Sequence, residues 1–151
     1  MSDNQSSTVK DAFVGTWKLI TSGFQRSDGV TVDLFGPDAS GIIIYDAHGH
    51  MAGQIMRANR PNFASGDQQK GTPEEIKAAI DGYIAYFGDY VVDESEQSVT
   101  HQTKGSLLPN LVGKDQKRFY AFSGNRLTLT TPPIRIGGNT VTGVLVWERY
   151  L

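Results

Sequence analysis

The sequence predicts a mainly β protein: a single antiparallel up-and-down β-barrel of about eight strands, with one α-helix packed over it. Three observations carry this prediction. Short alternating runs of β-forming residues recur along the chain, turn signals separate them, and only one segment has a helical pattern. With 151 residues, the chain has the length of one domain with a sizeable core. We expect a flexible tail at residues 1–11 and the barrel domain at residues 12–151.

The strands are predicted from period-two alternation and continuous apolar runs bounded by turns. They fall at residues 14–25, 41–46, 51–57, 90–93, 98–107, 117–123, 126–131 and 140–150. Tight turns such as Asp28-Gly29 and Gly124-Asn125 join several of them. Short connections between β-runs favour antiparallel neighbours and therefore a meander.

The helix is predicted at about residues 73–87. Thr72 and Glu75 have the spacing of a capping box, and Pro73 occupies the first helical position. An apolar stripe follows at helical spacing, at Ile76, Ile80, Tyr83, Ile84 and Phe87, and Gly88 would end the helix. The connection before it, residues 58–71, is either a functional lid or a plain insertion.

Barrel closure is predicted from the two ends of the meander. When the first and last strands pair antiparallel, Gly15 and Trp17 lie beside Trp147 and Arg149. Trp17 would then close one end of the barrel, with Arg149 stacked on its ring as a cation–π contact.

These residues resemble a known family. Gly-Thr-Trp in the first strand and Trp-Glu-Arg in the last resemble the Gly-x-Trp motif and closing Arg of lipocalins. The runs GIIIYDAHGHMAGQIMRANRPNFASGD, GTPEE, GYIAYFGDYVVD and VTHQTKGSLLPNLVG are similar to the short lipocalin-like domain proteins of bacteria and fungi. This resemblance covers about residues 13–150. It implies a lipocalin-like barrel and a small-molecule role, in some members within natural-product biosynthesis.

Composition excludes several classes of function. The net charge of −2 comes from mixed signs, so we expect neither nucleic-acid binding nor a membrane-surface role. No cysteine, signal-peptide pattern or membrane-length apolar run is present in the sequence, and we expect a cytoplasmic protein. No nucleotide, nucleophile-elbow or metalloprotease motif occurs, so we expect no cofactor. No metal is expected either, because His48 and His50 lack a third ligand nearby.

His101 is the first candidate catalytic residue. Alternation places Val99, His101, Thr103, Gly105 and Leu107 on one face, which we expect to point inward. An inward histidine can act as an acid or base near neutral pH, and the small Gly105 would leave space beside it. The competing interpretation is a core histidine bonded to its neighbours.

Six further residues are candidates for contacting a ligand. Tyr83, on the predicted helix stripe, is the second candidate catalytic residue; its hydroxyl, like those of Tyr45 and Tyr86, could orient a substrate oxygen. Gln54, Arg57 and Arg60 could bind a ligand oxygen near the barrel mouth. Ordinary core packing of the tyrosines and ion pairs of the arginines with Asp67 or Glu75 remain alternatives, and the facing of Gln54 and Arg57 is open.

The leading hypothesis from the sequence is a cofactor-free enzyme. It would bind a small apolar or amphipathic metabolite and catalyse an acid–base isomerisation, cyclisation or dehydration, in secondary metabolism. The alternative is a non-catalytic binding or carrier protein of lipocalin type. A third hypothesis is a barrel filled by its own side chains. The oligomeric state, including a homodimer, is left open.

Overall fold

The strands form a closed antiparallel barrel in the computed structural model, which describes residues 8–32 and 35–150. The elements are α1 (Val9–Phe13), β1 (Gly15–Arg26), β2 (Thr31–Val32), β3 (Ser40–Tyr45), β4 (His50–Met56), α2 (Pro73–Asp81), β5 (Tyr83–Asp93), β6 (Ser98–Ser106), a 3₁₀ turn (Pro109–Leu111), β7 (Asp115–Ser123), β8 (Arg126–Thr130), β9 (Ile134–Ile136) and β10 (Asn139–Arg149). Within this described part, β1, β3 to β8 and β10 each pair with the next, and β10 pairs back with β1. The short strands β2 and β9 extend the edges of β1 and β10. The predicted mainly β, up-and-down barrel of about eight strands is confirmed.

The closing pair of strands has the predicted register. Trp17 lies opposite Arg149, and the Cζ of Arg149 is 4.2 Å from the centre of the Trp17 ring. The Arg149 guanidinium also donates to the carbonyls of Val14 and Ala12, at 2.7 and 2.6 Å. Gly15 has a φ of 137°, and a Cβ there would lie 2.5 Å from the Arg149 Nη1. Glycine is therefore required at this position by both conformation and space.

One end of the barrel is filled by aromatic side chains. Phe13, at the end of α1, is fully buried and lies within about 5 Å of three rings. The indole Nε1 of Trp17 donates to the Phe13 carbonyl at 2.9 Å. The aromatic plug consists of Phe13, Trp17, Tyr45, Tyr90, Tyr120 and Phe122. Any internal space must therefore lie towards the other end.

Helix α1 falls at the end of the segment that the sequence indicated as a flexible tail. Thr8 and Asp11 form a capping box that fixes its first turn. The remainder of the expected tail, residues 1–7, lies outside the described residues. The helix brings Phe13 to the barrel end, where its side chain is fully buried.

The predicted helix at about residues 73–87 is correct at its start and wrong in its second half. Thr72 and Glu75 form the capping box, but α2 ends at Asp81 with Gly82 as its C-cap. Residues 83–93 instead form β5, which bonds to both β4 and β6. Pairing with β4 and β6 outweighs a helical pattern interrupted by Gly82, because the sheet supplies hydrogen-bond partners for the backbone of this β-rich run.

The helix also does not cover the barrel as expected. Ile76 and Ile80 remain 47% and 45% exposed.

Among residues 8–32 and 35–150, no helix has the length and apolar character needed to cross a membrane.

A β-bulge changes which residues of β6 face inward. The register between β5 and β6 shifts between Phe87 and Gly88. Val99, His101 and Thr103 are buried, as alternation predicted, but Gly105 lies under the ring of the exposed Phe87. The expectation that Gly105 leaves space beside His101 is wrong, since the bulge moves Gly105 to the outer face.

Candidate functional site

A cavity of about 310 Å³ occupies the barrel interior on the side away from the aromatic plug. Its wall is mostly apolar and includes Phe24, Ile55, Ile84 and Leu145. The polar side chains that join this wall inside the barrel are Tyr86, His101, Gln116, Arg118, Thr131 and Trp147. A mainly apolar cavity with a few polar groups is the usual form of a small-molecule site.

His101 links the aromatic plug to this cavity. Its Nε2 lies 2.6 Å from the Tyr45 hydroxyl, and its Nδ1 lies 2.8 Å from the Tyr86 hydroxyl. His101 and Tyr45 are each 1% exposed, whereas Tyr86 is half-buried and lines the cavity. The three side chains form one hydrogen-bonded chain from the plug to the cavity.

The histidine in this chain is neutral at physiological pH. Burial, assisted by the nearby Arg118 charge, lowers the pKa of His101 to about 3. Burial raises the pKa of Tyr45 and Tyr86, so both phenols keep their protons. A neutral imidazole has one N–H donor and one acceptor nitrogen.

The direction of the chain follows from Tyr45. Its hydroxyl is fully buried and His101 is its hydrogen-bond partner in the structure, so the Tyr45 proton must go to Nε2. His101 then donates from Nδ1 to the Tyr86 oxygen. The Tyr86 hydroxyl proton is left without an acceptor among the described residues, on the wall of the cavity. Tyr86 is therefore a hydrogen-bond donor directed by the two residues behind it.

Arg118 and Gln116 are cavity residues that the sequence interpretation missed. Arg118 Nη1 donates to the Lys117 carbonyl at 2.9 Å, and Nη2 donates to the Gln116 Oε1 at 3.2 Å. The sequence does contain a signal for their orientation. The period of two residues places Gln116 and Arg118 on the same face of β7 as Tyr120 and Phe122, and these two aromatic residues mark the inner face.

Trp147 has a second role beyond the expected closure. It pairs with Leu19 and Leu127 in the sheet and is only 3% exposed. Its ring lines the cavity, and its Nε1 is buried with no hydrogen-bond partner in the described part of the chain. A buried indole N–H without an acceptor is costly, so it marks a position where an acceptor oxygen would be stabilised.

Gln54 and Tyr83 lie on the outer face of the barrel. Met51, Gly53 and Ile55 are the buried residues of β4, and Gln54 between them is exposed, although it is also among the residues that line the cavity. The Tyr83 hydroxyl donates to the Gln54 Oε1. The expectation that Tyr83 reaches the site from a helix is wrong, because Tyr83 begins β5 and points away from the interior.

Arg57 and Arg60 are not among the described residues that line the cavity. Arg57 follows β4 and is exposed, with its backbone N–H bonded to Gly82. Arg60 donates to the Ala79 carbonyl at 3.2 Å and stacks 4.9 Å from the centre of the Tyr83 ring. Arg60 thus ties the connection before α2 to the start of β5.

His48 lies in the turn between β3 and β4, and His50 is the first residue of β4. Asp46 accepts from the backbone N–H of both residues, and His50 Nδ1 lies 2.8 Å from Asp89. In the ranges 8–32 and 35–150, no group of three or more His, Cys, Asp or Glu side chains could hold a metal ion.

The fold and the site together define a class of protein. In the described residues it is a closed antiparallel barrel of eight main strands, with an aromatic plug at one end and a cavity towards the other. The family model described as "Lipocalin-like domain" matches residues 14–150. The chain belongs to the lipocalin-like domain family. It is similar to the 4'-hydroxy-3'-methoxypropiophenone carrier protein of Aspergillus oryzae (strain ATCC 42149 / RIB 40). The two are 31% identical over 106 residues, which are 66% of this chain and 96% of that relative.

Proposed function

We propose that this protein binds and carries a small, mostly apolar metabolite, an aryl ketone or a similar aromatic compound, inside the barrel. The observation that carries the proposal is the apolar cavity of about 310 Å³ with its few directed polar groups. The Aspergillus relative, by its name, carries a hydroxylated aryl ketone, and its matched region spans nearly its whole length. The place in secondary metabolism that the family resemblance implies is part of the same proposal.

A second candidate function is the cofactor-free acid–base enzyme expected from the sequence. The Tyr45–His101–Tyr86 chain favours it, because a hydrogen-bonded relay ending at a cavity could move a proton to a substrate. Two observations rank it below the carrier. Both ring nitrogens of His101 are engaged by tyrosines, and a group with a pKa of about 3 is a weak base near neutral pH. The named relative is also described as a carrier.

Filling the cavity is expected to abolish ligand binding. Gly53 lies on the inner face of β4, where a Cβ would meet Ile43 only at ordinary contact distance, 3.4 Å. The side chain of Gly53→Leu should therefore extend into the cavity. In titrations with 4'-hydroxy-3'-methoxypropiophenone followed by calorimetry, we expect saturable binding by the unmodified protein and at least about tenfold weaker binding by this variant.

Ala52→Leu is the matched control. Ala52 is the residue before Gly53 in the same strand, and it pairs with Ile44 and Phe87, which face outward. It should bind like the unmodified protein. Equal affinity of all three proteins would place binding outside the barrel, and no saturable binding by the unmodified protein would reject this ligand class.

A further inference from the structure

The polar groups of the cavity wall are hydrogen-bond donors in excess of acceptors. No Asp or Glu is among the described residues lining the cavity, whereas two arginines are. Arg118 comes from the inner face of β7, and Arg135 stands at the exposed edge and donates to the Gly138 carbonyl at 3.2 Å. The cavity is therefore electropositive as well as apolar.

Arg118 is the most informative of these groups. Its guanidinium has five N–H donors, of which two bond to the Lys117 carbonyl and the Gln116 side chain. The described residues place no carboxylate within ion-pair distance of it. A half-buried guanidinium without a counter-ion is poorly solvated, so an anion in the cavity would be stabilised.

Two further donors belong to residues that line the same cavity. The Tyr86 hydroxyl proton has no acceptor in the described chain, because His101 already occupies the Tyr86 oxygen as a donor. The Trp147 Nε1 is buried without a partner. Both groups lack an acceptor and both residues line the cavity, so a ligand oxygen that reached either hydrogen would be stabilised.

The acceptor side chains of the wall already accept hydrogen bonds from the protein. The Gln116 Oε1 accepts from Arg118, and the Gln116 Nε2 is directed to the Thr103 hydroxyl at 3.2 Å. The Thr131 hydroxyl oxygen accepts from the Gly143 N–H at 2.8 Å. A ligand that offers mainly N–H or O–H donors would therefore find few partners here.

We propose that the cavity selects aromatic ligands that are bound as an oxygen anion, a phenolate. Arg118 is the counter-ion of this phenolate, and the Tyr86 hydroxyl and the Trp147 indole N–H donate hydrogen bonds to ligand oxygens. This inference rests on the proposed function, since it names the charge state in which the carried compound is bound. It also explains the Tyr45–His101–Tyr86 chain without catalysis, as a device that fixes Tyr86 as a donor.

The test uses the absorption of a bound phenol, because phenol and phenolate absorb at different wavelengths. The probe is 4'-hydroxypropiophenone, and its methyl ether, 4'-methoxypropiophenone, cannot ionise. The charged or titratable groups that line the cavity are Tyr86, His101, Arg118 and Arg135, and Tyr45 lies behind His101. The lowered pKa of His101 and the raised pKa of the two tyrosines keep these three neutral while the probe titrates.

We expect the ionisation midpoint of the bound probe to fall by at least about one pH unit relative to the free compound. Arg118→Met should abolish this shift, and Arg118→Lys should retain most of it. Arg126→Met is the matched control, since Arg126 lies outside the cavity and pairs with Glu148; it should leave the shift intact.

An unshifted or raised midpoint in the unmodified protein, with both compounds bound, would overturn the inference and leave the carrier function standing. A shift that persists in Arg118→Met, with binding retained, would also overturn the role of Arg118. Failure of both compounds to bind would overturn the proposed function and this inference together. The midpoint in the unmodified protein is decisive even if the Arg118→Met protein does not fold.

Discussion

Replacing Trp17 by alanine is expected to destabilise the barrel by about 3–5 kcal/mol, the usual cost of removing a large aromatic side chain from a core. Trp17 is 1% exposed and contacts Phe122 in the aromatic plug. Its loss removes the hydrogen bond to the Phe13 carbonyl and the ring on which Arg149 stacks. Because Arg149 also holds the carbonyls of Ala12 and Val14, the contact between α1 and the barrel should weaken as well.

Urea denaturation followed by circular dichroism measures this loss. Lys18→Ala is the matched control, since Lys18 is the neighbouring residue of β1 and is exposed; it should change the free energy of unfolding by less than about 1 kcal/mol. Equal and small effects of the two substitutions would contradict the assignment of Trp17 as the residue that closes the barrel.

The second large effect is a loss of stability in mild acid that comes from His101. The folded protein holds this histidine neutral, with its pKa lowered to about 3, whereas the unfolded chain has the ordinary value of 6.5. The unfolded state therefore binds more protons throughout this window. The free energy of unfolding should fall by up to about 1.4 kcal/mol for each pH unit as the pH drops from 6.5 towards 3.

His101→Gln tests this prediction, because the glutamine amide also combines a donor group with an acceptor group but does not titrate in this range. Between about pH 6 and about pH 5, its unfolding free energy should be nearly independent of pH. Carboxylates with lowered pKa values, such as Asp89 beside Lys104, act in a more acidic window. His48→Gln, at an exposed position, should keep the slope of the unmodified protein; a slope that also persists in His101→Gln would reject the explanation.

Sequence patterns predicted the barrel well where a pattern has a single physical cause. A tryptophan behind a glycine in the first strand and an arginine at the end of the last define closure, and the structure pairs Trp17 with Arg149. The capping box at Thr72 fixed where α2 begins, because it depends on adjacent residues alone.

The errors arose where tertiary pairing overrides local pattern. Tyr83 and Phe87 fit a helical stripe, yet Tyr83 pairs with β4, and Phe87 pairs with both β4 and β6. The bulge beside Gly88 then reversed the facing of Gly105, which simple alternation cannot anticipate. Arg118 was overlooked because a charged side chain is expected outside the barrel. Only its position two residues before Tyr120, on the same face of β7, shows that it faces inward.

The two indole N–H groups offer the most direct test that the ligand binds inside the barrel. Trp17 donates to the Phe13 carbonyl within the aromatic plug, whereas the Trp147 N–H is unpartnered in the described structure and Trp147 is one of the residues that line the cavity. In ¹⁵N-correlated NMR spectra, adding 4'-hydroxy-3'-methoxypropiophenone should shift the Trp147 indole signal and slow its exchange with water, while the Trp17 signal stays in place. Saturable binding that leaves the Trp147 signal unchanged would contradict a ligand site in this cavity.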